Sequence, residues 1–278
     1  MLIDTHCHLD ALEFDADRDD VIRRAQALGV AAIIIPAVSI ANLDTVRDLA
    51  HSFPGGRYAL GIHPICVPAA QESHLADLES AIQAALSDSR LVAIGEIGLD
   101  YFIPELARPA MRQKQELFYT AQLDLAQRYG LPVIIHVRRS HDILLKHLRR
   151  RPHIGGIAHA FNGSAQQAQQ FIDLGFALGF GGAMTFDRAL QIRRLAQSLD
   201  LDHLVLETDA PDIPPAWLGL TEQGDRDKLA GRRRNEPAEV ARMAEVLADL
   251  RGITREQVLE ATWRNALRVL PRLGTLVD

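Results

Sequence analysis

A chain of 278 residues that is 47% hydrophobic and 24% charged has the apolar mass for a full core. Its formal net charge of −6 argues against a protein that coats nucleic acid non-specifically, although contact with a strand end stays open. Two cysteines, Cys7 and Cys66, exclude a disulfide framework and a CxxC zinc site and point to a reducing, cytoplasmic compartment, and the longest apolar run, VAAIIIPAV, is too short to span a membrane.

The chain alternates short β-rich runs with longer amphipathic segments. LIDTH (2–6) opens it, with no basic stretch ahead of it as a signal peptide would need, and the helical RDDVIRRAQALG follows. Next come AAIIIPA (31–37), YALGIH (58–63) and LVAIGEIG (91–98), then the long helical MRQKQELFYTAQLDLAQRYG. PVIIHV (132–137), GGIAHA (155–160), FALGFG (176–181) and HLVLETD (203–209) complete eight strands. Gly29, Gly130 and Gly175 each close a helical pattern ahead of a strand, as a left-handed C-cap does. The strands are nearly all apolar, which suits parallel strands covered on both faces. Eight strand–helix units followed by one extra helix, TREQVLEATWRNALRVL, predict an α/β fold of the (β/α)8 TIM-barrel type, as a single domain over 1–278. An open doubly wound sheet would carry a glycine-rich turn after its first strand, where this chain reads HCHLDALEF. The longest irregular stretch, DAPDIPPAWLGLTEQGDRDKLAGRRRNEP, follows the eighth strand; loops of that length are usually functional or mobile.

The ionisable residues fall at one end of these strands. His6 and His8 end the first, one residue apart and so on one face of an extended chain. His63 ends the third strand, Glu96 lies near the end of the fourth, His136 and His159 end the fifth and sixth, and Glu207 and Asp209 end the eighth. In a barrel that end carries the active site. The other six histidines, His51, His74, His141, His147, His153 and His203, fall in helices, helix flanks, a loop or a strand start and read as ordinary packing. Four of these imidazoles with two of these carboxylates suit Zn, Mn, Fe or Ni better than a purely oxygen-ligated Ca or Mg site. Six donors exceed the need of one tetrahedral ion and suffice for two, with Glu96 placed to bridge.

The segments DTHCHLD, GIHP, GEIGLDY, HVR, HAFNGS, ETDAP and RNEP, in this order, make the chain resemble the TatD-type metal-dependent hydrolases, a branch of the amidohydrolase-like barrels. ETDAPDIP with its proline-rich continuation is most similar to a less characterised bacterial subgroup. The resemblance implies two divalent ions (Zn, Mn, Mg, Ni or Fe), one held by His6, His8 and Asp209, the other by His136 and His159, with Glu96 between them. It implies hydrolysis of phosphodiester bonds, most often as a deoxyribonuclease acting from a 3′ end, by a water that the two ions activate. Nucleic acid or a small phosphodiester is then the substrate, with no membrane and no obligate protein partner. Asp209 is expected to orient the attacking water or take its proton, and His63 to contact the phosphate or protonate the leaving oxygen. Asp4 and Glu207, each two residues before a ligand, are candidates to orient imidazoles. Arg234 and Asn235 are candidates for substrate contact, Glu236 for tying the loop down, and Arg232 and Arg233 read as a solvated run. Phe161, Tyr101 and Trp217 lie where a base could stack.

Two other classes compete. A D-aminoacyl-tRNA deacylase, or another acyl-ester or amide hydrolase, could use the same barrel. Many amidohydrolases place a modified lysine where this chain has Glu96, which favours the phosphodiesterase branch. A non-enzymatic scaffold predicts a damaged ligand set, and all six positions are present.

Overall fold

The computed structural model describes residues 1–219 and 234–276; Arg232 and Arg233 lie outside them. Eight parallel strands follow one another around the sheet in chain order: β1 (Leu2–Asp4), β2 (Val30–Pro36), β3 (Gly56–Leu60), β4 (Leu91–Asp100), β5 (Val133–Arg138), β6 (Gly156–His159), β7 (Phe176–Phe180) and β8 (Leu204–Leu206). Between them run α1 (Arg18–Ala27), α2 (Leu43–His51), α3 (Ser73–Ala85), α4 (Pro109–Tyr129), α5 (His141–Leu148), α6 (Ala165–Asp173) and α7 (Leu190–Ser198). After β8 come α8 (Val240–Arg251) and the additional α9 (Arg255–Val269). The fold is the (β/α)8 barrel, with each crossover helix covering the outer face of the sheet. Gly130 caps α4 in the left-handed conformation at φ 63°, which a side chain would resist.

Two apolar layers hold the barrel. Outside the sheet, side chains such as Ile33, Ile35 and Ile135 pack against Val21, Val46 and Leu144 of the helices. Inside it, Ile3, Ile34, Val92, Ile134, Ile157, Ala177 and Val205 meet one another and Ala266, Val269, Leu270 and Leu273 from α9 and the turn after it. The extra helix is thus a stopper for the N-terminal end of the barrel. Burying each Ile or Leu there stabilises the fold by about 1.5–3 kcal/mol.

The strand bounds differ on β3, which runs Gly56–Leu60 and leaves His63 in the following turn, and where the barrel closes. β1 ends at Asp4 and β8 at Leu206, earlier than the sequence patterns predict, because the two segments leave the regular ladder and join across a seam. Thr5 N donates to Leu206 O at 3.1 Å, Asp209 N to His6 O at 2.8 Å, and His8 N to Ala210 O at 2.8 Å. Asp4 fastens the same seam, accepting from Thr208 N at 2.9 Å and Thr208 Oγ1 at 2.6 Å. β4 runs longer than predicted, through Asp100, because Gly98, Leu99 and Asp100 stay paired with His136, Val137 and Arg138 of β5.

Candidate metal centre

The site forms because side chains two residues apart on a strand share a face. Ile134, Ile157 and Val205 fill the barrel interior, so His136, His159 and Glu207 project inward just above them. His6 and His8 enter from the seam. Asp209 turns in at φ 56°, a left-handed conformation that Asp tolerates better than most residues. All of these ionisable side chains but the fully buried His6 line a cavity of about 760 Å³ whose walls also include Asp10, His63, Glu96, Asp100, Arg138, Phe161 and Asp212.

Three triads of donor atoms lie within 4.8 Å of one another: His6, His8 and Asp209; His6, Glu96 and His159; and His63, Glu96 and His136. Glu96 is central to them. Its Oε2 is 3.1 Å from His6 Nε2 and 3.6 Å from His8 Nε2, while its Oε1 is 2.9 Å from His136 Nδ1 and 3.3 Å from His63 Nε2. Asp209 Oδ1 faces His6 and His8 at 3.6 Å and His159 Nε2 at 3.4 Å. The resemblance pairs His136 with His159; here His136 groups instead with His63, and His159 with His6, on which its ring stacks at 3.6 Å.

The donor chemistry fits divalent cations. Imidazole nitrogens face one another at 3.3 Å (His6 and His8) and 3.1 Å (His63 and His136), with two carboxylates beside them. Imidazole nitrogens and ionised carboxylates aimed at shared points are donors that a divalent cation takes. The carboxylates are held in that form. Burial raises the Glu96 carboxyl, but His63, His6 and His136 outweigh it and bring it well below its usual range. For Asp209, burial is likewise overcome by His159, His6 and His8, which hold it at about 2.

Glu207 and Asp4 play different parts. Glu207 Oε1 lies 2.9 Å from His159 Nδ1 and accepts from Ala160 N at 2.6 Å, so it fixes the ring with Nε2 towards Asp209. Gly179 makes room for it, since a Cβ there would overlap the Glu207 carboxylate. Asp4 accepts from the His6 backbone at 3.3 Å rather than from the ring, so its contacts belong to the seam and not to ligand orientation. Burial, partly offset by Thr208, raises its carboxyl to about 7.

Other expectations are corrected. Arg234 does not line the cavity: its guanidinium lies over Phe14 and makes two 2.8 Å bonds to Asp17. Asn235 is fully buried, its amide donating to Thr208 O at 2.9 Å and Asp212 O at 2.7 Å, so both residues secure the returning loop rather than offer a substrate contact. Glu236, as expected, ties this segment down, accepting two bonds from Arg24 of α1. Tyr101 packs under Arg112, and Trp217 under Arg242 with its Nε1 on Glu239, so neither ring is free to stack on a base. Phe161 borders the cavity but is 1% exposed, edge-on to His141 and Phe171.

Asp100 and Arg138 are among the cavity residues that the strand-end reading misses. Asp100 Oδ2 stands 3.2 Å from His136 Nε2. Burial raises its carboxyl, and bonds from His136 and from the Phe102 and Ile103 backbone bring it to about 2. The signal was present in GEIGLDY, where Asp100 follows Glu96 by four residues along one strand and so returns to the same side.

A model of TatD-related DNases matches residues 3–271. The chain belongs to the TatD-related DNase family. It is 38% identical over 265 residues, 95% of each chain, to an uncharacterized metal-dependent hydrolase of Escherichia coli K12, YjjV. It is 32% identical over 283 residues, 100% of this chain and 97% of the other, to the human deoxyribonuclease TATDN3. The crystal structure of the E. coli YjjV protein superposes with a TM-score of 0.85 at 36% identity, covering 97% of this chain and 98% of that one. The TatD-family chain is therefore a metal-dependent hydrolase of ester bonds. Among the described residues no helix is long and apolar enough to cross a membrane.

Proposed function

We propose that the chain hydrolyses phosphodiester bonds of nucleic acid, as a cytoplasmic deoxyribonuclease working from a strand end with two divalent cations. One observation carries the reading: the two oxygens of Glu96 face two different imidazole pairs, His6 with His8 and His136 with His63. A carboxylate so divided suits a pair of ions better than one. His6, His8 and Asp209 would hold one, His136 with His63 or His159 the other, and Glu96 both. When bound, such ions supply Lewis-acid charge for water activation and for the developing negative charge on phosphate oxygens.

The side chains do the rest. Asp209 is ionised, and 14% of its side chain is exposed to the cavity, so it can orient the attacking water and accept its proton. His63 has Nδ1 occupied by the Ile65 N–H at 3.0 Å, which leaves Nε2 for the centre. That nitrogen faces His136 and Glu96, so a structural place beside the ions competes with the expected role of proton donor to the leaving oxygen. Glu207 keeps His159 from turning.

The test is metal-dependent turnover by the purified protein loaded with Mn, Zn, Mg or Co. The substrates are 3′-ended single-stranded DNA, RNA, D-aminoacyl-tRNA and bis(p-nitrophenyl) phosphate. Cleavage of DNA with loss from the 3′ end is expected. No turnover of any phosphodiester would overturn the reading, and cleavage of the aminoacyl ester alone would replace it with the deacylase.

A further inference from the structure

The cavity mouth between β4 and β5 carries a feature that the metal centre does not use. Phe102, two residues past β4, keeps 36% of its surface exposed. Two guanidinium groups lie against its ring, Arg138 at 3.9 Å and Arg139 at 4.7 Å from the centroid. Arg138 is the last residue of β5 and lines the cavity with His136. Arg139 follows at φ 54°, a left-handed conformation that a long side chain adopts only when its surroundings impose it, and this turn brings the second cation to the same ring.

The charges there do not cancel. Asp100 Oδ2 is 3.7 Å from Arg138 Nη1, but the same oxygen is 3.2 Å from His136 Nε2, so one carboxylate serves two partners. Arg139 pairs with no carboxylate among the described residues. A plain salt bridge accounts for Arg138 alone and leaves Arg139 unexplained. A guanidinium set over a ring keeps N–H groups at its edge that can match phosphate oxygens. The two arginines lie three contacts outward from Glu96, through His136, Asp100 and Arg138.

We propose that Arg138 and Arg139, gathered on Phe102, bind a second phosphate of a nucleic-acid strand, next to the phosphodiester being cleaved. This rests on the phosphodiesterase reading and narrows it. The preferred substrate is a strand carrying at least two phosphates, not a small single diester. The pair also reconciles an acidic chain with a polyanionic substrate, because the positive charge is concentrated where the strand enters.

The experiment compares Mn-loaded wild type with R138A/R139A and R138K/R139K on a DNA hexanucleotide and on bis(p-nitrophenyl) phosphate. The ratio of kcat/KM for the hexanucleotide to that for the small diester is expected to fall about ten-fold in R138A/R139A, mainly through KM. The lysine pair should recover part of it, since it keeps charge but loses the fork. The dependence of log KM on log salt should flatten by about 0.7 for one lost phosphate contact. An unchanged ratio, with equal losses on both substrates, would overturn the subsite. If wild type cleaves no phosphodiester, the functional reading fails separately. Fluorescence anisotropy of a fluorescein-labelled hexanucleotide then decides the subsite: weaker binding by R138A/R139A supports it, equal binding overturns it.

Discussion

The two ends of the barrel are made from the same strands and do opposite work. On β5, β6 and β8 the inward series reads Ile134, Ile157 and Val205 at one level and His136, His159 and Glu207 two residues later. Below, α9 seals the opening with an apolar layer, and polar groups there, such as the Asn265 amide on Leu204 O at 2.7 Å, bond backbone carbonyls. Above, ionisable groups such as His6 (0% exposed) and Glu96 (1%) are buried against one another, an arrangement that is costly without partners or a cation. One register step of two residues therefore separates positions that stabilise the fold from positions that trade stability for chemistry.

The sharpest way to break that contrast is Glu96→Ala. Activity should fall on the order of 10³-fold or more, with bound metal reduced by elemental analysis and the melting temperature unchanged or raised. Near-full activity, or a collapse of the fold, would place Glu96 on the structural side. Ile157→Ala is the mirror experiment: about 2–5 kcal/mol of stability lost in denaturant unfolding, with kcat per folded molecule largely kept. A smaller effect probes the border. Gly179→Ala should push the Glu207 carboxylate away and release His159, lowering kcat or metal affinity by roughly 10–100-fold with little change in stability. If stability falls more than activity, Gly179 belongs to packing alone.

The smallest effect belongs to neither end. Arg234 holds the Asp17 carboxyl down at about 2, below the usual 3.8, mainly through its hydrogen bonds. A depressed acid stabilises the fold above its ordinary pKa and loses that contribution as pH falls through its folded value. Comparing Asp17→Asn with wild type from pH 6 to 2 should therefore show a difference that disappears between about pH 4 and 2, worth less than ~1 kcal/mol because Asp17 is partly exposed.

The barrel and its polar end were legible because both depend on period and position. Apolar runs of about six residues ending in His or Glu repeat along the chain, and strand geometry then fixes the face. What stayed hidden depends on partners distant in sequence. Asp100 looked like loop until β5 extended its ladder. Asn235 looked like a substrate ligand because nothing local shows that the Thr208, Asp212 and Ile213 carbonyls need its amide. The aromatics follow the same rule: Tyr101 and Trp217 lie in loops past strand ends, but only packing shows that Phe102 is the exposed one.

The seam also sets a clock. Asp4 is bonded to Thr208, 204 residues away, and His6 to Asp209 on the same closure. A ribosome that has released the first strand must add some two hundred residues before its partner exists. At about 5–20 residues per second that is roughly 10–40 seconds during which His6 and His8 are made but have no Asp209 to meet. On the proposed two-cation reading, a hydrolase whose centre straddles its own closure stays silent until its last strand is made, and a chain broken off before that strand carries the histidines without Asp209.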